Sequence, residues 1–453
     1  MQRKMVLIGC GSAMFTRGLV ADLIRNPAGR SWHLALCDVD GETLEAVQKL
    51  VRKMVAAGAP AAGIEVSASD RREDLLPGAD YVVSTIGVGK RAAWEHDVLI
   101  PRQYGVFQPV GDTAMPGGLS RAMRMAPATL AIVRDCERLC PNARFINYAN
   151  PMAILCRAAM KASSFPVTGL CIGTADSVWH MADMAGLPRG DVTARAVGMN
   201  HLTFIYRFMH GGGDAMPRVK KALVDRFGAG YFDESALDPE RPGPDQTPGH
   251  RFCWSFLLKH GAFPAPGDRH VAEFFVERFP GGRYYGKRLG VDVFSFEDCI
   301  AGGDRIHAET LAVANDPAPL PEDWFRRIGG EHGQLMEIVD SIEHDRGRTY
   351  FANLPNRGAV PALPPESVLE MPCVATAQGM RPLQAPDFPA PLAALVQKNL
   401  AIVEMAAEAA LKGEVRLFEE AILMGGYITD ARAVSKLVAE LLRAHKAHLP
   451  QFA

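Results

Sequence analysis

The sequence predicts an α/β protein built on a doubly wound parallel sheet, with a second lobe behind it. Three observations predict it. Short apolar runs alternate with segments of helical spacing through the first part of the chain, a glycine turn (Gly9-Cys10-Gly11-Ser12) follows the first run, and Asp38 closes the second. Strands that alternate with helices pair in parallel, with helices covering both faces, so the strands read as continuous apolar runs. A chain of 453 residues is long enough for two domain-sized units.

Residues 4–9 (KMVLIG) read as a strand ending in glycine, and residues 13–25 change to helical spacing. A second strand, His33 to Asp38, precedes a helix from Gly41 to about Ala57. A third strand is Asp80 to Gly87, and a fourth, Arg144 to Tyr148, follows a helix around residues 118–140. The alternation continues through Val167 to Cys171 and loses regularity after about residue 195, where VGMNHLTFIYRF reads as one longer strand. Residues 236–250 (ALDPERPGPDQTPGH) read as an exposed loop or lid. The Pro-rich stretch 353–390 reads as a separator between helical segments, and residues 391–448 are Ala/Leu-rich and helical. This divides the chain into an N-terminal nucleotide-binding domain, 1–195, and a second domain, 196–453.

Composition excludes several classes of function. Apolar residues make up 48% of the chain and charged residues 22%, ordinary values for a folded globular protein. A formal net charge of −2 gives no electrostatic reason to expect nucleic acid or an acidic membrane surface as partner. No apolar run approaches the roughly 18 residues of a membrane span. Nine Cys, an odd number without framework spacing, read as reduced thiols in a cytoplasmic protein.

Several groups of residues carry chemistry. Gly9 and Gly11 let the backbone turn tightly toward a pyrophosphate at a helix N-terminus, with Ser12 beside them; Met14 stands where the dinucleotide fingerprint has its third glycine. Asp38 would accept from the ribose hydroxyls and repel a 2′-phosphate, which favours NAD over NADP. Asn147-Tyr148-Ala149-Asn150-Pro151 follows the fourth strand, where side chains face the ligand crevice; Asn150 reads either as a helix cap or as a ligand contact. Cys171 and His201 are ligand types for a divalent metal, yet on spacing alone they read as a buried thiol and a strand histidine. Gly267-Asp268-Arg269-His270 delivers charge before a helix, with Asp268 either a cap or a site residue. The glycines around Asp112 precede a helix bearing Arg121 and Arg124, a pattern suited to an anion or to an ordinary surface.

Taken in order, GCGS, VGDTAMPGGLSRAMR, NYANP, GLC, GMNH, GDRHVAEF and YFANLPNRGAVPALPPESVLEMPC resemble glycoside hydrolase family 4 over nearly the whole chain. The resemblance implies the fold of lactate and malate dehydrogenases, a Rossmann domain with a mixed α/β C-terminal domain. It implies Cys171 and His201 as ligands to a divalent metal, commonly Mn²⁺, and Asn150 as a substrate contact. It also implies a redox-neutral reaction outside the two-carboxylate scheme. NAD⁺ takes hydride from C3 of the sugar, a base takes the C2 proton, the C1 substituent leaves, water adds and the hydride returns. The family usually has a polar residue after the metal cysteine; here it is Ile172, which cannot donate a proton. Asp268 and His270 are the substitute acids, and Tyr284 or Tyr285 the C2 base. The motifs are most similar to the α-galacturonidase branch, with Arg269, Arg121 or Arg124 for the carboxylate, and the family implies a homodimer or homotetramer. The alternatives are an α-glucoside or 6-phosphoglycoside substrate, a lactate/malate-type 2-hydroxy acid dehydrogenase, and a catalytically inactive NAD or sugar-nucleotide sensor.

Overall fold

The computed structural model describes residues 2–12, 15–58, 63–232, 250–328 and 334–452. In chain order its strands are β1 (Arg3–Ile8), β2 (Trp32–Cys37), β3 (Ile64–Ser69), β4 (Tyr81–Ser84), β5 (Arg144–Asn147), β6 (Val167–Gly169), β7 (Val192–Met199), β8 (Leu202–His210), β9 (Gly213–Asp214), β10 (Phe263–Ala265), β11 (Arg283–Tyr284), β12 (Lys287–Arg288), β13 (Arg348–Pro355), β14 (Val368–Thr376) and β15 (Gly379–Pro382). All but β11 and β12 belong to one sheet.

Half of that sheet is parallel, in the order β3-β2-β1-β4-β5-β6. This is the Rossmann order, whose reversal between β1 and β4 opens a crevice at the strands' carboxyl ends. The apolar runs explain it: every residue of β4 is buried, and so are four of the six in β1. The sheet then continues antiparallel through β13, β14, β7, β8 and β10. The predicted α/β class and the mixed second half are therefore both present.

Three expectations are corrected. β3, IEVSAS, is an edge strand with no buried residue, so it lacks the apolar run by which its neighbours are read. VGMNHLTFIYRF is not one strand but a hairpin: Met199 pairs with Leu202, and Asn200 and His201 form the turn. The Pro-rich stretch 353–390 does not merely separate helices, since it holds the end of β13 and all of β14 and β15. The C-terminal helices are present as Ala390–Lys412, Val415–Gly425 and Ala431–Ala444. Of the predicted loop 236–250, only His250 lies within the described residues.

Two pairings position the site. Asn353 of β13 pairs with Gly169 of β6, and Glu370 of β14 pairs with Gly198 of β7. The segment that carries Cys171 and the hairpin that carries His201 thus leave the same sheet only two strands apart. Gly198 is required there, because a Cβ on it would lie 2.1 Å from the Leu202 carbonyl oxygen across the hairpin.

Candidate active site

The crevice at the β1/β4 switch point is shaped by its glycines. Gly9 has φ +84°, and a Cβ on it would lie 2.8 Å from the Ile86 nitrogen at the end of β4. A side chain there is excluded both by conformation and by space. Gly11 donates its N–H to Asp38 Oδ2 at 2.8 Å, and Asp40 donates to Oδ1 at 3.0 Å. The carboxylate at the end of β2 is thereby fixed against the glycine turn, with lone pairs left to accept further donors. Ser12 Oγ accepts from the Phe15 N–H at 3.3 Å, just before the helix Thr16–Arg25. The turn, the helix start and the oriented carboxylate form one continuous edge.

Across the sheet, Cys171 Sγ lies 3.6 Å from His201 Nε2. His201 occupies the left-handed region at φ +66°, which the hairpin turn imposes. Its Nδ1 meets Thr113 Oγ1 at 2.8 Å, and that hydroxyl donates to Asp112 Oδ1 at 2.7 Å. One hydroxyl has one proton, so Nδ1 must be the donor to Thr113, and Nε2 presents a bare lone pair toward the sulfur. Burial lowers the His201 pKa and keeps the ring neutral, while burial pushes the Cys171 thiol up to about 12. A bare nitrogen and a sulfur that only a cation would ionise suit a borderline divalent metal.

Asp112, His201 and His270 each offer a ligand atom within 4.8 Å of the others. Burial works against ionisation of Asp112, but the nearby Arg121 cation and the Thr113 hydroxyl favour its carboxylate, and its pKa stays below the usual range. Burial holds His270 well below the ordinary histidine range. Asn150 Nδ2 donates to Asp112 Oδ2 at 2.9 Å, and its Oδ1 is buried without a partner. Arg121 donates Nε to the Asn150 carbonyl at 3.1 Å, and its terminal nitrogens have no partner among the described residues. An open guanidinium, a carboxylate, an amide and the His270 imidazole therefore converge beside the Cys171/His201 pair.

The model of family 4 glycosyl hydrolases matches residues 4–186, and that of their C-terminal domain matches residues 196–425. The chain belongs to this family. Among its relatives are an alpha-glucosidase of Erwinia rhapontici, 28% identical and covering 97% of each chain, and an alpha-galacturonidase of Lachnoclostridium phytofermentans, 27% identical and covering 99% of this chain and 97% of that one. An alpha-galactosidase of Bacillus subtilis is 24% identical over 99% of this chain and 100% of its own. In fold the chain is similar to a 6-phospho-alpha-glucosidase from gut microorganisms solved with NAD and Mn²⁺ (TM-score 0.82, 16% identity, full coverage of both). It is also similar to the 6-phospho-beta glucosidase of Thermotoga maritima solved with manganese, NAD⁺ and glucose-6-phosphate (TM-score 0.79, 21% identity, 98% and 99% covered). Malate dehydrogenase of Plasmodium falciparum shares the fold at TM-score 0.55 and 14% identity, covering 92% and 99%.

Within this family 4 scaffold, several residues stand differently from their sequence-based assignments. Arg124 does not face the site. Its guanidinium forms a bidentate pair with Asp97, both side chains fully buried, and His445 Nε2 joins Asp97 at 2.9 Å. Asp268 does not cap its own helix: it accepts from the Phe252 and Cys253 N–H groups at 2.7 and 2.9 Å, holding the start of Arg251–His260. Tyr284 donates its hydroxyl to Asp268, and burial drives its pKa well above the tyrosine value, which opposes service as a base. Tyr285 stacks on the Arg251 guanidinium at 4.2 Å. Arg269 donates to Cys299 Sγ at 3.0 Å. Asn150 does not cap Met152–Ala162, whose N-cap is Pro151. Ile172 opens the helix Gly173–Ala185 directly after Cys171.

Two acidic residues stand close to this group without a sequence signal of their own: Asp112 lies in a glycine-rich run, and Glu370 in the Pro-rich stretch 353–390. Glu370 is 1% exposed, and burial raises its pKa. It accepts from Thr174 and Asn200 and shares the Thr203 hydroxyl proton with the Met199 carbonyl.

Proposed function

We propose that this family 4 enzyme is an NAD- and divalent-metal-dependent glycosidase, acting on an α-galacturonide or related uronide by transient oxidation at C3 and C1–C2 elimination. The observation that carries the reading is the Cys171 Sγ to His201 Nε2 approach of 3.6 Å, with the imidazole tautomer fixed by Thr113. When bound, NAD⁺ supplies a hydride acceptor and the divalent ion a Lewis acid, which together open an oxidation and elimination route that needs no carboxylate pair.

The chain's own residues do the rest. Gly9, Gly11, Ser12 and Asp38 hold the dinucleotide; Cys171 and His201 hold the metal. Asn150 and Asp112 orient sugar hydroxyls. His270 lies with Asp112 and His201 in the candidate metal group, and Tyr284, locked on Asp268, fills the role of C2 base poorly. Ile172 offers no proton and keeps water from the face beside Cys171. The uronide preference is supported by Arg121, whose terminal nitrogens are open beside Asn150, and by the alpha-galacturonidase relatives at 26–28% identity. A planar guanidinium fits a planar C6 carboxylate as a fork.

The test is a panel of aryl α- and β-glycosides, including galacturonides, glucuronides, neutral hexosides and 6-phosphoglycosides, incubated with NAD⁺, Mn²⁺ and a reductant. Aglycone release from the α-galacturonide without net NADH is expected. Net NADH without release would replace the reading with a dehydrogenase, and faster release from a 6-phosphoglycoside would replace the substrate.

A further inference from the structure

Glu370 is a carboxylate in the middle of a thirteen-stranded sheet, 1% exposed. Its oxygens accept from Thr174 Oγ1 at 2.8 Å and Asn200 Nδ2 at 3.2 Å, and lie 3.1 Å from Thr203 Oγ1, whose single proton is shared with the Met199 carbonyl at 3.0 Å. All these donors are neutral, and no cation pairs with Glu370 among the described residues. Taking a carboxylate out of water costs several kcal/mol, and hydroxyl and amide donors offset only part of that.

The three donors are not random neighbours. Thr174 lies in the first turn of the helix that follows Cys171, while Asn200 and Thr203 flank His201 in its hairpin. A carboxylate can only accept, so it forces the Asn200 side chain to turn its NH₂ inward. That amide also works to lower the Cys171 thiol pKa, against the larger effect of burial. One acidic residue thereby ties together the two segments that carry Cys171 and His201.

We propose that Glu370 is the positioning residue of the metal pair: it ties the Cys171 segment to the His201 hairpin, and its charge adds to those of Asp112 and the Cys171 thiolate around the divalent cation. This rests on the reading above that Cys171 and His201 hold the ion. Outer carboxylates of this kind orient metal ligands, and their loss costs about 10- to 100-fold in metal affinity.

The experiment titrates the full-length metal-free chain with Mn²⁺, counting free ion by its EPR signal. Absorption of the Co²⁺-substituted chain reports the thiolate bond separately. Wild type binds Mn²⁺ and Cys171→Ala does not; failure of wild type to bind overturns the proposed function together with this inference. Glu370→Gln keeps the shape and loses the charge, so Mn²⁺ affinity falls about 10- to 100-fold. Its metal-free melting midpoint is unchanged or higher, and the Co²⁺–thiolate band returns at high Co²⁺. Thr174→Val, which removes one neutral bond away from His201, gives a smaller loss in the same direction. Wild-type Mn²⁺ affinity in Glu370→Gln, or a metal-free midpoint that falls along with the affinity, overturns the inference and leaves the metal reading standing. Should Glu370→Gln fail to fold, unchanged affinity in Thr174→Val overturns it.

Discussion

Arg121 and Arg124 lie one turn apart on the helix Met115–Leu139, and the structure gives them opposite fates. Arg121 uses only Nε, leaving its terminal nitrogens for a ligand. Arg124 spends its fork on Asp97 and its Nε on the Val88 carbonyl at 2.9 Å. Removing Arg121 deletes charge-assisted bonds to a substrate carboxylate, about 1.5–3 kcal/mol, or about 10- to 150-fold in kcat/KM. Removing Arg124 leaves the Asp97 charge buried without its main partner, about 3–5 kcal/mol of folding stability. The assay compares aryl α-galacturonide with aryl α-galactoside. Arg121→Ala loses rate on the uronide and little on the neutral sugar, with its melting midpoint near wild type. Arg124→Ala lowers the midpoint and reduces both rates alike. Equal losses on both sugars in Arg121→Ala, or uronide-selective loss in Arg124→Ala, would refute the assignment.

Asp38→Ala removes the carboxylate that the Gly11 N–H fixes at 2.8 Å, and NAD⁺ affinity falls about 10- to 100-fold by calorimetry, equivalent to ~1.5–3 kcal/mol; unchanged affinity would remove Asp38 from the cofactor site. Gly198→Ala places a Cβ 2.1 Å from the Leu202 oxygen, so the hairpin must open and carry His201 away from Cys171. Mn²⁺ affinity should drop by more than about tenfold while NAD⁺ affinity holds. Glu273, buried and accepting from the Val110 and Gly111 N–H groups, has its pKa pushed up to about 8, chiefly by burial. A raised carboxyl pKa means the folded chain binds the extra proton, so that contribution is complete below the ordinary value of 4.5 and is lost as pH climbs through about 8. Glu273→Gln should flatten the fall in melting midpoint between those limits, and a profile parallel to wild type would contradict the assignment.

Most of the parallel half of the sheet is readable because β1, β2 and β4 are largely buried apolar runs and a glycine turn marks the switch point. β3 escaped because an edge strand with no buried residue has no apolar run to read. The His201 hairpin escaped because its turn, Asn200-His201, contains no glycine and the apolar pattern runs through it; the glycine that permits it, Gly198, lies inside β7. β14 was hidden by Pro372, whose missing N–H argues against a central strand. That concealment also cost Glu370, whose meaning comes only from its neighbours across the sheet. Cys171 and His201 could be paired from the family resemblance but not from spacing, since only tertiary structure brings them together. Arg124 and Asp268 show the converse: both look functional in a motif, and both are held by bonds that stabilise the fold.

A Cys171/His201 site that works by elimination across C1 and C2 of the sugar, rather than by direct displacement at C1, must exchange the C2 proton with solvent. Turnover of an aryl α-galacturonide in D₂O with NAD⁺ and Mn²⁺ is followed by NMR of the released sugar. Deuterium at C2 of the product is expected, with no release without NAD⁺ and none in Cys171→Ser. Hydrolysis that leaves hydrogen at C2, or that proceeds without NAD⁺, would contradict elimination.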